Sequence, residues 1–247
     1  MYYSETYQTK WHDTAPSGVI RPSRLLEYMQ ETGNRQCRAS NMDLDTLFQE
    51  EGKGFILSRI RIRVDAPIHA YETIEVRTWC PPSRGFTYLR CFSVLRDGAV
   101  VAEGLSTWAF VDAKTRSFIK VDDFHGDFPV GDNLDEQTLP KMVRIPRTLD
   151  MQPVGERTVV YSDVDFNRHM NNTKYPDMVC DFLPAEAVEG QRMATLSLAY
   201  LHEAALGDTV KVYRASVADR PGAYLLRTVN DRGDTCLEAE ITVTPIH

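Results

Sequence analysis

Apolar and polar positions along the first half of the chain predict helix first and strands after. Leu25, Leu26, Met29 and Cys37 recur at helical spacing, and Ser23 just ahead of them is a candidate N-cap. A second, short helix is predicted over Leu44–Glu50. From Phe55 to Val64 the period changes to two: Arg59, Arg61 and Arg63 face one way, and Ile60, Ile62 and Val64 the other, as in a half-buried strand. Further strands are predicted at Thr73–Trp79, Thr87–Leu95 and Val100–Val111. Asp97-Gly98 between two apolar runs signals a hairpin turn, and Arg232-Gly233 repeats the signal later. The pattern breaks down from Asp122 to Gly155, an acidic stretch punctuated by Pro129, Pro140, Pro146 and Pro153, which reads as an interdomain connection. The expected division is therefore a first domain over 1–121, a linker over 122–155 and a second domain over 156–247.

The second half repeats the first. Trp11–Glu31 lies against Tyr161–Asp181 without a gap, and in both an Asp (Asp13, Asp163) heads a polar turn that leads into a helix. Farther on, Ile56-Leu57-Ser58 parallels Thr195-Leu196-Ser197, Gly85 parallels Gly222, Arg90 parallels Arg227, and Glu103 parallels Glu238. Each unit reads as strand, helix, then four antiparallel strands, an α+β arrangement of one helix on one curled sheet.

Composition narrows the function classes. A chain of 247 residues with 43% hydrophobic and 26% charged residues is expected to fold throughout. A formal net charge of -7 without a Lys/Arg run argues against a nucleic-acid partner, because neutralising phosphates needs a basic field. The opening Met1-Tyr2-Tyr3-Ser4-Glu5 starts no apolar core of signal-peptide length, and no run of 18 apolar residues occurs, so a cytoplasmic protein without membrane insertion is expected. Cys37, Cys80, Cys91, Cys180 and Cys236 are odd in number and widely spaced, which suggests reduced thiols and neither disulfides nor a zinc site.

The candidate chemistry comes from a difference between the copies. Ala15, Ser17 and Val19 in the first stand where Asp165, Asn167 and His169 stand in the second. Only the second set transfers protons, and an extended backbone would turn positions i, i+2 and i+4 toward one cavity. The amide would supply neutral donors, and helix N–H groups from about Asn172 onward would polarise a carbonyl oxygen. Asp13 and Asp163, present in both copies, are expected to order their turns. Asp163, Asp165 and His169 would suit a metal, yet no second His or Cys sits at ligand spacing, so neither metal nor cofactor is expected. One active site per chain follows, the first copy being chemically silent.

The run Tyr161-Ser162-Asp163-Val164-Asp165-Phe166-Asn167-Arg168-His169-Met170-Asn171-Asn172-Thr173-Lys174-Tyr175 resembles the acyl-ACP thioesterases of plant plastids and their bacterial relatives. Met29-Gln30-Glu31-Thr32, Val76-Arg77-Thr78-Trp79 and Leu198-Ala199-Tyr200-Leu201-His202-Glu203 support the resemblance, which covers nearly the whole chain. It implies a double hotdog fold, two tandem units each wrapping an antiparallel sheet around a helix. It further implies hydrolysis of the thioester between a fatty acyl chain and the phosphopantetheine of acyl carrier protein, in fatty acid biosynthesis. The catalytic set it implies is Asp165, Asn167, His169 and Glu203. A Cys commonly follows that Glu in the family; here the residue is Ala204, which excludes a thiol nucleophile at that position.

Two routes stay open, direct attack by Asp165 or attack by a water that Glu203 and His169 activate, and the water route is preferred. An acyl-CoA thioesterase, a hotdog hydratase and a non-catalytic acyl-binding protein are the alternatives. Hydratases of this fold resemble the chain in using Asp-x-Asn-Pro-x-His, whereas Asn167 here is followed directly by Arg168 and His169. Arg59, Arg61, Arg63 and Arg77 would form either a basic face for the acidic carrier or an ordinary solvated face. Acyl chain length stays undecided, and a homodimer is left open.

Overall fold

A computed structural model of the protein describes residues 2–115, 117–124, 139, 144–165 and 167–246. The chain separates into two compact units, one made of Met1–Thr9, Leu26–Ala66 and Tyr71–Leu139, the other of Lys10–Leu25, Pro67–Ala70 and Pro140–His247.

The first half of the sequence forms β1 (Tyr3–Gln8), α1 (Pro22–Ala39), α2 (Leu44–Thr46, continued by a π turn over Leu47–Glu51), β2 (Lys53–Val64), β3 (Thr73–Trp79), β4 (Tyr88–Arg96), β5 (Ala99–Asp112) and β6 (Ser117–Ile119). The long strands pair antiparallel in the order β1-β3-β4-β5-β2, with β6 added to β5. Along β2 the alternation holds: Ile60, Ile62 and Val64 are buried, while Arg59 is exposed and Arg61 and Arg63 are half-buried. Asp97 (φ 52°) and Gly98 (φ 79°) make the predicted two-residue turn between β4 and β5, with both residues in the left-handed region.

Ser23 is not the cap of α1. The helix starts one residue earlier, on Pro22, whose fixed φ and missing N–H suit a first helical position, and the Ser23 hydroxyl is buried without a hydrogen-bond partner among the described residues.

Close packing of α1 on the sheet depends on a missing side chain. A Cβ on Gly104 of β5 would lie 3.1 Å from Met29 Sδ and 3.4 Å from Phe92 Cδ2, and both of those side chains are fully buried. Arg90 of β4 reaches into the same layer, donating to the Gln36 side chain, to Thr78 Oγ1 (3.2 Å) and to Cys37 Sγ (3.2 Å). At the far end of the unit Phe55, Tyr88, Phe110 and Phe124 pack ring to ring, with centroids 4.6 to 6.4 Å apart. Burial there pushes the Tyr88 phenol up to about 12.

The second half forms β7 (Gln152–Thr158), α3 (Tyr175–Asp181), β8 (Gln191–Tyr200), β9 (Thr209–Ser216), β10 (Ala223–Asn230) and β11 (Thr235–Pro245). Its strand order, β7-β9-β10-β11-β8, reproduces that of the first half strand for strand. Each half is thus a hotdog unit of the α+β class, and the chain is a double hotdog. The helix of the second copy is shorter, with Tyr175, Pro176, Met178 and Val179 buried and Pro184 following soon after its end.

Register corrects the repeat in its strands: Arg63 lies opposite Glu103 and Ala199 opposite Glu238, so Leu196 answers to Ile60 and not to Leu57. Glu103 sits opposite Ser93 and Glu238 opposite Arg227, so Ser93, not Arg90, is the counterpart of Arg227. The chemistry differs accordingly: Arg227 binds Glu238 Oε1 at 2.8 Å and the carbonyls of Ile145 and Pro146. The Arg232-Gly233 hairpin also differs from its counterpart, since the loop from β10 to β11 spans Asp231–Asp234 and the Asn230 side chain accepts from the N–H groups of Arg232 and Asp234.

Of the stretch from Asp122 to Gly155, residues 125–138 and 140–143, with Pro129 and Pro140, lie outside the described residues. Leu139 packs with Trp79, Cys91 and Leu105 in the first unit, Ile145 is buried in the second, and β7 begins at Gln152.

Gly104→Val is expected to destabilise the protein by about 1–3 kcal/mol, because the added isopropyl group must displace a fully buried Met29. Denaturant titration checks this, and an unchanged midpoint would show that the layer has room to spare.

Candidate active site

The site grows from a turn that both copies build with the same bonds. In the second copy a one-turn 3-10 helix, Tyr161–Asp163, ends on a buried aspartate, and Val160 N–H donates to Asp163 Oδ2 at 3.1 Å. Val164 and Met170 then pair as a bridge, Asp165 N–H donates to His169 O (3.2 Å), and Arg168 N–H to Asp165 O (3.0 Å). The first copy has Lys10 N–H on Asp13 Oδ2 (2.7 Å), Thr14 paired with Ile20, Ala15 N–H on Val19 O (2.8 Å), and Gly18 N–H on Ala15 O (2.8 Å). Asp13 and Asp163 therefore order their turns, as expected of residues common to both copies. Asp163 is held further by Arg157, whose Nη2 donates to Oδ1 at 2.6 Å and whose Nη1 reaches Asp181 at 3.1 Å.

The turn changes how the candidate residues meet. Arg168 N–H turns back onto Asp165 O, with Arg168 in the left-handed region (φ 67°), where the first copy has Gly18 (φ 77°). The segment is thus not the extended run that the i, i+2, i+4 spacing suggested. Asp165 and His169 are brought to the two sides of the turn, and Asn167 sits exposed at its tip. Asp165 closes the tip by accepting Asn167 N–H on Oδ1 at 2.9 Å.

Glu203 arrives from the segment that follows β8. Met170 N–H donates to Ala204 O at 2.8 Å, and His169 pairs with Ala205 as a bridge. That ladder sets His169 Nε2 3.6 Å from Glu203 Oε1, with the imidazole half-buried and the carboxylate exposed. An exposed pair of this kind adds little stability, and at 3.6 Å the two groups are within ion-pair reach without a direct hydrogen bond. The matching bond in the first copy, Ile20 N–H on Ile68 O, places Pro67 where the second copy has Glu203. The first copy thus offers Ala15, Ser17, Val19 and Pro67 at the four positions, none of which titrates.

Other groups complete the surroundings. The Asn171 side chain accepts Thr173 N–H (2.9 Å) and Thr173 Oγ1 (2.8 Å), so one of the helix-entry amides expected to face a ligand already has a partner. Tyr200 donates to Asn172 O at 2.9 Å, and its ring meets Tyr175 edge-on at 5.3 Å. Burial, with Cys236, Glu203 and Asp165 adding to it, drives the Tyr175 phenol well above its ordinary range. Asn171, Thr173, Tyr175 and Tyr200 all lie within the runs quoted for the family resemblance, but their positions beside the turn were not readable from spacing. Ala204 is buried, and the thiols are kept protonated: burial pushes Cys80 up to about 11 and also raises Cys37 and Cys236. No group of three or more metal-ligating side chains occurs among the described residues.

A cleft of about 980 Å³ lies against the silent turn. Ala15, Ser17 and Val19 line it together with Arg157, Cys180 and Met193, while Asp165, His169 and Glu203 do not. Most of the Arg face of β2 and β3 is balanced locally: Arg63 binds Asp65 and Glu103, Arg77 binds Glu75 through two contacts of 2.8 Å, and Arg61 donates to Leu139 O, while Arg59 is exposed.

Comparison with known proteins bears on what this arrangement does. Residues 1–125 match the acyl-ACP thioesterase N-terminal domain and residues 149–244 the acyl-ACP thioesterase C-terminal domain. A palmitoyl-acyl carrier protein thioesterase of Cuphea hookeriana is 28% identical over 219 residues, 82% of this chain and 52% of that protein. An oleoyl-acyl carrier protein thioesterase of Arabidopsis thaliana is 23% identical over 252 residues, 94% of this chain and 68% of that one. Both are named as chloroplastic, and this chain spans about half the length of several of the curated relatives it matches. Among solved structures, an acyl-ACP thioesterase from Bacteroides thetaiotaomicron superposes with a TM-score of 0.86 at 20% identity, covering 98% of each chain. The 12:0-ACP thioesterase of Umbellularia californica does so with a TM-score of 0.85 at 17% identity, covering 99% of this chain and 97% of that one. With both domain models matched in order along it, the chain belongs to the acyl-ACP thioesterase family.

Proposed function

We propose that this protein hydrolyses fatty acyl thioesters of acyl carrier protein, releasing free fatty acid and the carrier thiol in fatty acid synthesis. The observation that carries the proposal is the His169–Glu203 pair, set 3.6 Å apart by the strand ladder through Ala204 and Ala205 and present in one copy of the duplicated turn. Family membership supports the substrate class.

In the proposed reaction a water attacks the thioester carbonyl carbon and gives its proton to Glu203. Asn167, at the turn tip, supplies amide N–H groups to the oxyanion. As the tetrahedral intermediate collapses the C–S bond breaks, and the departing thiolate takes a proton through His169. A thiolate leaves readily, since a free thiol has a pKa of about 8.5, so attack and oxyanion stabilisation are the demanding parts. Direct attack by Asp165 is disfavoured by its surroundings, because Oδ1 already accepts Asn167 N–H; the carboxylate instead holds Asn167 at the turn tip, in place for the oxyanion. The five cysteines, all free, support a reducing compartment, and a cytoplasmic setting is part of the proposal. No helix among the described residues is long and apolar enough to cross a membrane.

His169→Ala and Glu203→Ala remove an acid/base partner and Asp165→Ala the carboxylate that holds the oxyanion donor, and each is expected to lower hydrolysis of acyl-acyl carrier protein by about a hundredfold or more. Ser17→Ala should leave the rate unchanged. Turnover near wild type in a folded His169→Ala protein would sink the site assignment, and faster hydrolysis of coenzyme A thioesters across a panel of chain lengths would overturn the carrier as substrate. Thiol alkylation at neutral pH is expected to be slow and to leave turnover intact, because burial holds the Cys80 thiol at about 11, far from ionisation. Mass spectrometry and rate measured together check this: stoichiometric labelling of one Cys that stops turnover in folded protein contradicts it.

A further inference from the structure

We infer that Asn171 is a positioning residue for the proposed hydrolysis, holding the Asp165 carboxylate through its side-chain amide; the inference rests on the reading of Asp165 as part of the active site. Both faces of that carboxylate are engaged. Oδ1 accepts Asn167 N–H at 2.9 Å, and Oδ2 faces Asn171 Nδ2 at 3.5 Å. An amide could in principle turn either end toward Asp165, but the choice is fixed by its other partner. Thr173 N–H is a donor with no alternative role, so the atom it meets at 2.9 Å must be the Asn171 oxygen, and the Thr173 hydroxyl adds a second contact to that oxygen at 2.8 Å. The nitrogen end is thereby directed at Asp165, as a donor to an acceptor.

The duplicated turn provides an internal control. Arg21 N–H donates to Asp13 O (2.8 Å) as Asn171 N–H donates to Asp163 O (2.9 Å), so Arg21 is the counterpart of Asn171 and Ser23 the counterpart of Thr173. Where the turn carries Ala15 instead of a carboxylate, the amide is absent, the Arg21 side chain turns to Thr14 O, and the Ser23 hydroxyl is left buried without a partner among the described residues. Helix capping alone does not explain the pair, because α1 is longer than α3 and does without it. The amide accompanies the carboxylate it faces.

Asn171 thus joins helix entry to the turn tip. One side of its amide fixes the start of the 3-10 turn Asn172–Lys174, and the other fixes the orientation of Asp165. The charged and titratable groups that share Asp165's surroundings are Arg168 and His169 in its own turn, Tyr175 on α3, and Glu203 after β8.

Asn171→Asp separates positioning from capping. It keeps the oxygen that accepts Thr173 N–H, and Asp is as good a cap as Asn, but it replaces the donor facing Asp165 with a second carboxylate. A like charge there disfavours the ionised form of the pair, so the acid limb of the kcat profile should move to higher pH by about half a unit or more, with kcat at neutral pH down about tenfold and KM within about twofold. The thermal midpoint should stay within about 3 °C of wild type. Asn171→Ala, which loses both contacts, should lower kcat and the midpoint together, whereas Asn171→Asp lowers kcat alone. Asp165→Ala is assayed in parallel on the same acyl-acyl carrier protein substrate. A severely impaired Asp165→Ala enzyme beside an Asn171→Asp enzyme with wild-type kcat and acid limb would overturn the positioning role while leaving the site standing. Wild-type turnover in Asp165→Ala would remove the functional reading, and this inference with it.

Discussion

Everything at the candidate site depends on one buried carboxylate and the turn it closes. Asp163 accepts Val160 N–H and the Arg157 guanidinium, and a hydrogen bond to a charged group is worth about 1.5–3 kcal/mol, more than a neutral one. With that end of the turn fixed, the Val164–Met170 bridge and the bond from Met170 to Ala204 follow, and they carry His169 to Glu203. The partners come from segments more than thirty residues apart, and backbone pairing, not the weak attraction of an exposed imidazole and carboxylate, holds them near each other.

The repeat separates scaffold from chemistry. Both halves have the same strand order, and both turns close with the same set of backbone bonds, so neither sheet nor turn specifies a reaction. What distinguishes the halves is a handful of side chains: Asp165, Asn167, His169 and Glu203 against Ala15, Ser17, Val19 and Pro67. The active copy also carries a conformational cost. Arg168 adopts the left-handed region that Gly18 occupies freely in the other turn, which for a residue with a Cβ costs about 1 kcal/mol. Strain of this size at a functional segment persists when the surrounding bonds over-determine the backbone, as the ladder on both sides of Arg168 does here.

The same logic explains what the protein does not use. Cys37, Cys80, Cys180 and Cys236 lie where burial keeps them neutral, and the position at which the family resemblance implied a thiol is a buried alanine whose carbonyl serves the ladder. Arg61, Arg63 and Arg77 are engaged by acids and carbonyls of their own unit, so that face offers an acidic carrier little unmatched charge beyond the exposed Arg59. Recognition through it would have to compete with contacts already made.

Sequence by itself determined the elements whose causes are local. The alternation of Arg59, Ile60, Arg61 and Ile62 set both the strand and its buried face, because a pleated backbone sends successive side chains to opposite sides. Asp97-Gly98 fixed its turn because both positions need positive φ. The contrast between copies picked out Asp165, Asn167 and His169, since a repeat shows which side chains a scaffold can lose. Glu203 came from family resemblance, for nothing local separates it from a surface acid. The structure alone decided the remainder: that Arg168 turns back onto Asp165 where spacing suggested an extended run, that Ser93 and not Arg90 answers to Arg227, and that Asn171 faces Asp165. Each of these rests on register or on a hydrogen bond between distant atoms. A sequence lists donors and acceptors, but which of them meet is set by how the strands align, and one residue of slip would have paired others.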